Sequence, residues 1–538
     1  MLRLGFLVES DKVSSWVGEI ISALSNHKEV NFVVTVFCSD HPKQACSFLY
    51  SVFKKLDSSI WTSSDNYSEE KTMRFSDNVP DLKTEMVGET FQISFSEDLI
   101  NKISSYKPDL LIYFGSKTLA GNILDLPRYG IWSLCFGETN KLYDAIPGFW
   151  EWYYKRPRSK ITLIKFSKQS LKGEIIRDLP IQISHPSYRK NQSSIFSKAI
   201  ALIVEEVTKL VNTEKLGKES KALERETIFL GHKPIDPNSW HIANAFLKLI
   251  SRSIKRVIKE IIFVNDWVIF CDLNSPQTPS LDFKKFKVLI PPKNRFWADP
   301  FVVSQDDKHY IFFEEFMLKA NKGHINCMVL DASGKMIASK IILEKPYHLS
   351  YPFIFQHQET FYMVPESSAN KTIDLYECVE FPFLWKFKRT LISSINAVDA
   401  TIHFYENRYW LFCGVQQHVS SPNYEDLNIF YTNDVLEGRW IPHVKNPVVS
   451  DIKTARPAGS IYIHNGELCR PSQIGFPYYG YGLALNRITE LSEINYKEEN
   501  YINIKPDWRK EVGGLHTLNF SPKMTVTDGV LKRFRLFK

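Results

Sequence analysis

The sequence predicts two architectures in series: an α/β unit built on a parallel sheet and, after a helical linker, an all-β five-bladed propeller. Three observations lead there. Strand and helix patterns alternate over the first 190 residues; near residue 267 helical periodicity gives way to short aromatic-rich strands with Gly, Asn and Asp turns; and beyond that point a paired-strand unit recurs five times. With 538 residues, the chain is too long for a single hydrophobic core, so more than one domain is required.

The amino-terminal reading runs strand Leu2–Val8, helix Val13–Leu24, strand Phe32–Phe37 and a polar stretch around Ser58–Lys83. Helix Glu97–Ser104, strand Asp109–Phe114 and a further strand near Gly130–Leu134 follow. Such alternation predicts parallel strands with helices on both faces, over residues 1–190. Residues 191–264 read as a helical linker. Ile195–Val211 has apolar residues at helical spacing, and Ser239–Ile262 repeats this with Phe246, Leu249, Ile250, Val257, Ile258 and Ile261 opposite Lys248, Arg252, Lys255, Arg256 and Lys259. A basic amphipathic helix suits either interdomain packing or peripheral contact with an anionic membrane.

The propeller is expected over 265–538. Its five units pair FWADPFVV with YIFFEEF, LSYPFIF with FYMVPES, VDATIHF with YWLFCG, ARPAGSIYI with ELCRPSQ, and GGLHTLNF with MTVTDG. The first-strand positions Asp299, Tyr351, Asp399, Arg456 and His516 lie about 50 to 60 residues apart, an interval that fits one four-stranded blade. Innermost strands line a propeller's channel, so these five side chains should converge on the axis.

Composition narrows the function. Aromatics at 14% suit pleated sheets and the stacking faces of sugar sites. The net charge of +7 is scattered, which implies no nucleic acid partner. Eight cysteines show no CxxC pair and read as reduced, buried thiols with no metal role. The start MLRLGFLVES reads as a strand, and no run reaches the roughly 18 apolar residues of a membrane span. The expectation is a cytoplasmic protein, or one peripheral at the inner face of the membrane. No GxGxxG, Walker loop or HExxH is present, so dinucleotide, NTPase and zinc-protease chemistries are not expected.

Near the blade starts and second-strand ends stand Asp299, Glu314, Glu315, Glu366, Asp399, Arg456, Arg470 and His516. Charged groups are rarely left in a sheet core without partners. Two carboxylates across a pocket can carry acid/base or nucleophilic work at an anomeric carbon. Asp299 is the candidate base or nucleophile, and Asp399 or Glu366 the candidate acid. Glu314, Glu315, Tyr351, Trp297 and His516 are candidate substrate contacts, with Arg456 and Arg470 as candidate clamps for phosphate or carboxylate.

The segment Trp297–Pro300, WADP, resembles the blade-one signature of the five-bladed arabinanase, levansucrase and invertase superfamily, whose Asp works at the anomeric carbon. That resemblance makes Asp299 the matching residue. Tyr351 stands where those enzymes carry a second Asp, and Asp399 where they carry a Glu. A fuller resemblance is to the propeller domain of plant glucosamine inositolphosphorylceramide transferases and the bacterial proteins named after them. It rests on FWADPF, EEF, YPF, VPES, DAT, NPVVSD, ARPAGS, CRPSQ and GGLHTLN, in order across about 240 residues. In the plant enzymes sugar transfer resides in a separate domain, for which this sequence shows no counterpart.

Residues Pro108–Tyr154 resemble the methionyl-tRNA and sugar-nucleotide formyltransferases, which implies a Rossmann-like sheet over roughly the first 180 residues. The strand ending FGS, the LPRYG turn and the Pro147-to-Trp150 spacing carry this. Those enzymes need an Asn and a His two apart after the turn, and an Asp about 35 residues later. Aligned on Tyr129–Gly130, the positions here hold Ser133, Cys135 and Leu171. A Leu cannot orient a base, so a degenerate domain is expected and formyltetrahydrofolate is not an expected cofactor.

Together these readings predict a carbohydrate-active enzyme, a glycosyltransferase of bacterial surface polysaccharide or glycolipid synthesis, with a sugar nucleotide as donor and a glycan or glycolipid acceptor. The alternatives are a non-catalytic glycan-binding scaffold and, on fold resemblance alone, a sugar N-formyltransferase.

Overall fold

The computed structural model describes residues 1–9, 12–39, 48–61, 70–72, 81–85, 87–88, 92–115, 117–137, 141–142, 146–156, 158–168, 172–183, 186–215, 227–230, 237–273, 278–416, 426–475 and 478–534. The chain divides into two units, Met1–Val257 and Ile258–Lys538.

The first unit follows from strands that are apolar on both faces. Along Leu2–Val8 (β1), Leu4, Phe6 and Val8 enter one core and Leu7 enters another on the opposite side of the sheet. A strand buried on both sides belongs in a parallel sheet covered by helices. Strand β1 pairs in parallel with Val30–Ser39 (β2), and β2 with Asp81–Glu85 (β3). On its other side β1 pairs in parallel with Leu110–Phe114 (β4), and β4 with Ile131–Phe136 (β5). The order β3-β2-β1-β4-β5 puts the first strand at the centre, the arrangement of an open α/β sheet whose strand order reverses beside β1.

Three antiparallel strands extend the sheet beyond β5: Arg158–Phe166, Lys172–Gln182 and Thr227–Phe229. The part of the predicted linker that the structure describes is not a separate body. Helix Tyr188–Lys215 buries Ile195, Phe196, Ala199, Ile200, Ile203 and Val207 in the core beneath β1, and helix Ser239–Ile262 adds Ile242, Ala245 and Leu249. The domain boundary therefore falls at Val257/Ile258 rather than near residue 190. Both helices carry an apolar face that packs into this core.

The second unit is a ring of five sheets, four of them four-stranded and the third five-stranded, with Val449–Ser450 pairing Asp426–Thr432. Blade one spans Arg295–Leu343, blade two Ser350–Ser393, blade three Ala397–Pro442 and blade four Tyr462–Ile504. Blade five is composite. Its inner strands, Leu518–Ser521 and Met524–Phe534, come from the end of the chain, and its outer strands, Phe263–Asp272 and Lys287–Leu289, come from the beginning of the unit. Met524–Phe534 pairs with Phe263–Asp272 from Phe263↔Phe534 to Asp272↔Thr525. This pairing fastens the two ends of the ring together. The repeat pattern located the inner half of this blade but left its outer half unassigned.

Candidate functional site

The axial site is made by a recurring backbone irregularity. In blade one, pairing between the two inner strands skips from Ala298↔Glu314 to Phe301↔Phe312; in blade two it skips from Ser350↔Glu366 to Phe353↔Val364, and in blade three from Val398↔Gly414 to Thr401↔Phe412. Each skip is a β-bulge, and the first residue it expels is Asp299, Tyr351 or Asp399. All three sit in the left-handed region, at φ 52°, 42° and 53°. A bulge re-aims side chains and bends its strand, and is a common feature beside active sites. A non-glycine residue held there costs on the order of 1–3 kcal/mol, sustained only where surrounding contacts fix it.

Those contacts are on hand. The Tyr351 hydroxyl accepts the Gly459 N–H at 2.7 Å and lies 2.9 Å from the Thr401 hydroxyl. Asp399 is ion-paired to the Arg456 guanidinium and accepts from the Gln473 amide at 3.0 Å. The Thr517 hydroxyl donates to Asp299 at 2.7 Å. The second inner strands supply the next layer: Glu314, Glu366 and, at the same step beyond the Asn519↔Val526 pair, Asp528.

Two clusters result. In the first, Arg456 lies between Asp399 and Glu366, 4.0 Å from the latter, while the Ser368 hydroxyl donates to Glu366 at 2.9 Å. Burial pushes the Glu366 carboxyl up to about 8, and the adjoining Asp399 charge adds to this against the pull of Arg456. A proton on Glu366 would also satisfy its Oε2, which otherwise has no hydrogen-bond partner. In the second cluster, His516 Nδ1 is 2.5 Å from Asp528 and 3.7 Å from Asp299. Asp528 also accepts the backbone N–H groups of Asp299, His516 and Thr517 at 2.9, 3.0 and 3.0 Å. Burial raises Asp299 to about 6, with His516 opposing and the Asp528 and Asp399 charges adding. Glu314 is raised well above the carboxylate range by burial and by Asp299 and Glu366. Burial would lower His516, but Asp528 and Asp299 outweigh it and raise the imidazole.

Among the described residues, Asp299, His516 and Asp528 form the one group placed closely enough to surround a cation, their ligand atoms within 4.8 Å of one another. The Asp528 oxygens are already engaged by three N–H groups and an imidazole, so the group is satisfied by protein alone. Aromatic rings finish the site. Trp267 stacks on His516 at 4.1 Å, and Tyr479 meets His516 edge-on at 5.5 Å while Arg456 lies 5.0 Å from its ring centroid.

The axis thus brings together Asp299, Glu314, Tyr351, Glu366, Asp399, Arg456 and His516. It does not bring in Glu315, Trp297 or Arg470. Alternation along a strand sends neighbouring side chains to opposite faces, so Glu315 leaves the Glu314 face. It accepts from Trp297 Nε1 at 2.9 Å and Arg295 at 3.2 Å, with His324 at 2.9 Å. Arg470, three residues from the axial Gln473, forks onto Glu498 at 2.8 and 2.7 Å. These are buried structural pairs within blades. Asp528, Gln473, Thr517, Trp267 and Tyr479 are the axial members that sequence reasoning missed; the acid of TDG at the step of EEF and PES was the available signal for Asp528.

In the first unit, Ser133 and Cys135 lie on β5 with both side chains buried. The Ser133 hydroxyl donates to the Tyr113 carbonyl at 2.8 Å, and burial pushes the Cys135 thiol far up, against a nucleophilic role. Leu171 lies outside the described residues.

Residues 288–513 match the family described as glucosamine inositolphosphorylceramide transferase 1, N-terminal. The glucosamine inositolphosphorylceramide transferase 1 of Oryza sativa subsp. japonica is 35% identical over 211 residues, covering 38% of this chain and 28% of the rice protein. That of Arabidopsis thaliana is 33% identical over 210 residues, covering 38% of this chain and 27% of its own. The match therefore spans little more than a quarter of these relatives. Among solved structures, the exo-1,5-alpha-L-arabinanase from a bovine ruminal metagenomic library aligns at TM-score 0.32 and 14% identity, covering 45% of this chain and 94% of its own. The catalytic domain of the Coprinopsis cinerea GH62 alpha-L-arabinofuranosidase aligns at TM-score 0.34 and 12% identity, covering 50% and 97%. Over residues 288–513, the propeller of this chain is similar to the amino-terminal domain of the glucosamine inositolphosphorylceramide transferase 1 family.

Proposed function

We propose that the propeller axis is a carbohydrate-active site that works by glycosyl transfer, with Glu366 as the proton donor and Asp299 as the base or nucleophile. The observation that carries this is the pair Glu366 and Asp399 sharing Arg456. Burial and the neighbouring charge hold a proton on Glu366, as an acid needs at neutral pH, while Asp399 is tied to Arg456 and Gln473. The acid role therefore falls to Glu366 rather than to Asp399. Asp299, brought to about 6, is poised to accept a proton or attack near neutrality. Arg456 would hold a phosphate or carboxylate of the sugar donor, and the rings of Tyr479 and Trp267 offer stacking faces.

A sugar nucleotide is the donor this reading favours, and the names of the rice and Arabidopsis relatives suggest a glycolipid acceptor by extension. Bacterial surface polysaccharide or glycolipid synthesis, at the cytoplasmic side of a membrane, is the setting we propose. The first unit is proposed to be a formyltransferase-type sheet that has lost formyl chemistry, since the aligned positions Ser133 and Cys135 are core residues of β5.

To test this, the purified chain is incubated with a panel of sugar nucleotides and glycolipid acceptors, and nucleoside phosphate release is measured. Asp299→Asn and Glu366→Gln should each abolish release; full turnover by Asp299→Asn sinks the assignment. A second reading, a non-catalytic glycan-binding scaffold, draws support from the saturation of Asp528, His516 and Asp399 by internal partners. Saturable glycan binding without any product by mass spectrometry would favour it.

A further inference from the structure

Among the described residues, Glu314 is the one axial carboxyl with no hydrogen-bond donor in reach. Asp299 takes the Thr517 hydroxyl, Glu366 the Ser368 hydroxyl, Asp399 the Arg456 and Gln473 groups, and Asp528 three backbone N–H groups. Glu314 is only 6% exposed, and the basic group that approaches it is His348, whose Nε2 lies 3.6 Å from Oε1, beyond hydrogen-bond length. A buried polar group left in this state calls for an explanation.

His348 is fixed as a neutral imidazole by the backbone. It lies in the connection from blade one to blade two, where its Nδ1 accepts the Gly323 N–H at 2.9 Å and the Leu349 N–H donates to the Gly323 carbonyl at 3.1 Å. A ring nitrogen that accepts carries no proton, so the proton sits on Nε2, on the side of Glu314. Burial lowers the imidazole, which keeps it neutral. Gly323 is needed at this crossing. A Cβ there would stand 2.6 Å from the Leu349 carbonyl oxygen and 2.7 Å from both Glu314 Oε1 and the His348 ring. A carboxylate at Glu314 would thus be buried beside a neutral ring while facing Asp299, Glu366, Asp399 and Asp528. The cations of the axis are engaged elsewhere, Arg456 by Asp399 and Glu366, His516 by Asp528 and Asp299. Glu314 therefore keeps its proton, the direction in which burial and those four acids drive it. With the His348 Nε2–H beside Oε1, that proton belongs on Oε2.

We infer that Glu314 is a specificity residue of the axial site, an un-ionised acid held by His348 that donates its Oε2–H to an oxygen of the bound sugar. His348 is its positioning residue, and neither group takes a proton from the substrate. The inference rests on the sugar-nucleotide reading of the axis. To test it, affinity of the full chain for UDP-glucose, UDP-galactose and UDP-glucuronic acid is measured by calorimetry for the parent, Glu314→Leu and Glu314→Gln. Glu314→Leu should bind about five- to tenfold more weakly, the equivalent of one hydrogen bond. Glu314→Gln should recover most of that loss, because its amide offers an N–H in place of the acid hydroxyl and a carbonyl toward His348. If the parent binds none of the three, the sugar-nucleotide reading falls and this inference with it. If the parent binds and Glu314→Gln loses as much as Glu314→Leu, Glu314 acts as a carboxylate and the inference alone is overturned. Parent-like binding by Glu314→Leu also overturns it alone, since the acid hydroxyl would then be satisfied within the protein. Where Glu314→Leu fails to fold, nitrogen NMR of the histidine-labelled chain decides, with the His348 signals assigned from their loss in His348→Gln. One protonated and one bare ring nitrogen at about pH 7 is the expected result; two protonated nitrogens would mark an ion pair with an ionised Glu314 and overturn the inference.

Discussion

Glu366→Gln should make the propeller more stable in alkali, and the size of the effect follows from where the carboxyl sits. In the folded chain burial and Asp399 lift Glu366 to about 8 from an ordinary value of 4.5. The native state thus holds this proton more tightly than the unfolded chain does. That contribution is complete below pH 4.5 and is lost as pH rises through about 8. Each pH unit in the interval is worth about 1.4 kcal/mol, so the whole amounts to at most about 5 kcal/mol. Gln has the shape of the protonated acid and no charge to titrate. Parent and variant should therefore melt together near pH 5 and diverge above it, with the variant higher by on the order of 10 °C near pH 9. Asp299, Glu314 and His516 are also raised in the folded state, so the parent's stability slopes the same way through them; only the difference between the two proteins isolates Glu366. The assay is thermal unfolding across pH 5–9. Parallel curves would mean that Glu366 ionises like an exposed carboxyl, and the proton-donor assignment would fall with it.

Two further outcomes separate structural from functional groups. Arg470→Ala removes a guanidinium that forks onto buried Glu498 and should destabilise the propeller by about 3–5 kcal/mol, measured by denaturant unfolding. Any glycan affinity should be unchanged where the variant is folded; a loss of affinity would return Arg470 to the site. Tyr351→Phe deletes the acceptor of the Gly459 N–H and the partner of Thr401, and should cost about 1–3 kcal/mol. A neutral result would mean that the hydroxyl does not hold the bulge.

The ring was legible because five units repeat at nearly constant interval, and repetition survives the loss of any single motif. The closing blade was legible only in half. Its outer strands come just before blade one, Phe263–Asp272 more than 200 residues from its partner, and nothing local to Phe263–Asp272 announces pairing with Met524–Phe534. Candidate residues sorted by proximity to a motif fall both on and off the axis for a physical reason. Glu314 and Glu315 are neighbours in sequence but occupy opposite faces of one strand, and so do Gln473 and Arg470, three apart. Following the alternation along each strand, rather than nearness to the motif, separates Glu314 from Glu315 and Gln473 from Arg470. In the amino-terminal unit the alternation of strand and helix gave the parallel sheet, whereas the antiparallel extension and the seating of helix Tyr188–Lys215 depend on tertiary packing that periodicity does not encode.

The bulges bear on what a substitution at the axis means. Asp299, Tyr351 and Asp399 share one backbone conformation, although a tyrosine tolerates the left-handed region far less readily than an aspartate. Were the conformation driven by the side chain, blade two would have relaxed to a regular strand and the Phe353↔Val364 pairing would continue to Ser350 without a skip. It has not; the Tyr351 hydroxyl instead takes a backbone N–H from Gly459, just ahead of blade four, and a contact with Thr401 in blade three. The bulge is therefore a property shared by the backbones of blades one, two and three, and the residue placed on it is free to vary in chemistry. A side chain at that position is aimed at the axis whatever it is. Its role has to be read from its partners: Tyr351 joins blades two and three to the segment ahead of blade four, Asp399 holds Arg456, and Asp299 keeps a carboxyl 3.7 Å from His516 and bonded to the Thr517 hydroxyl.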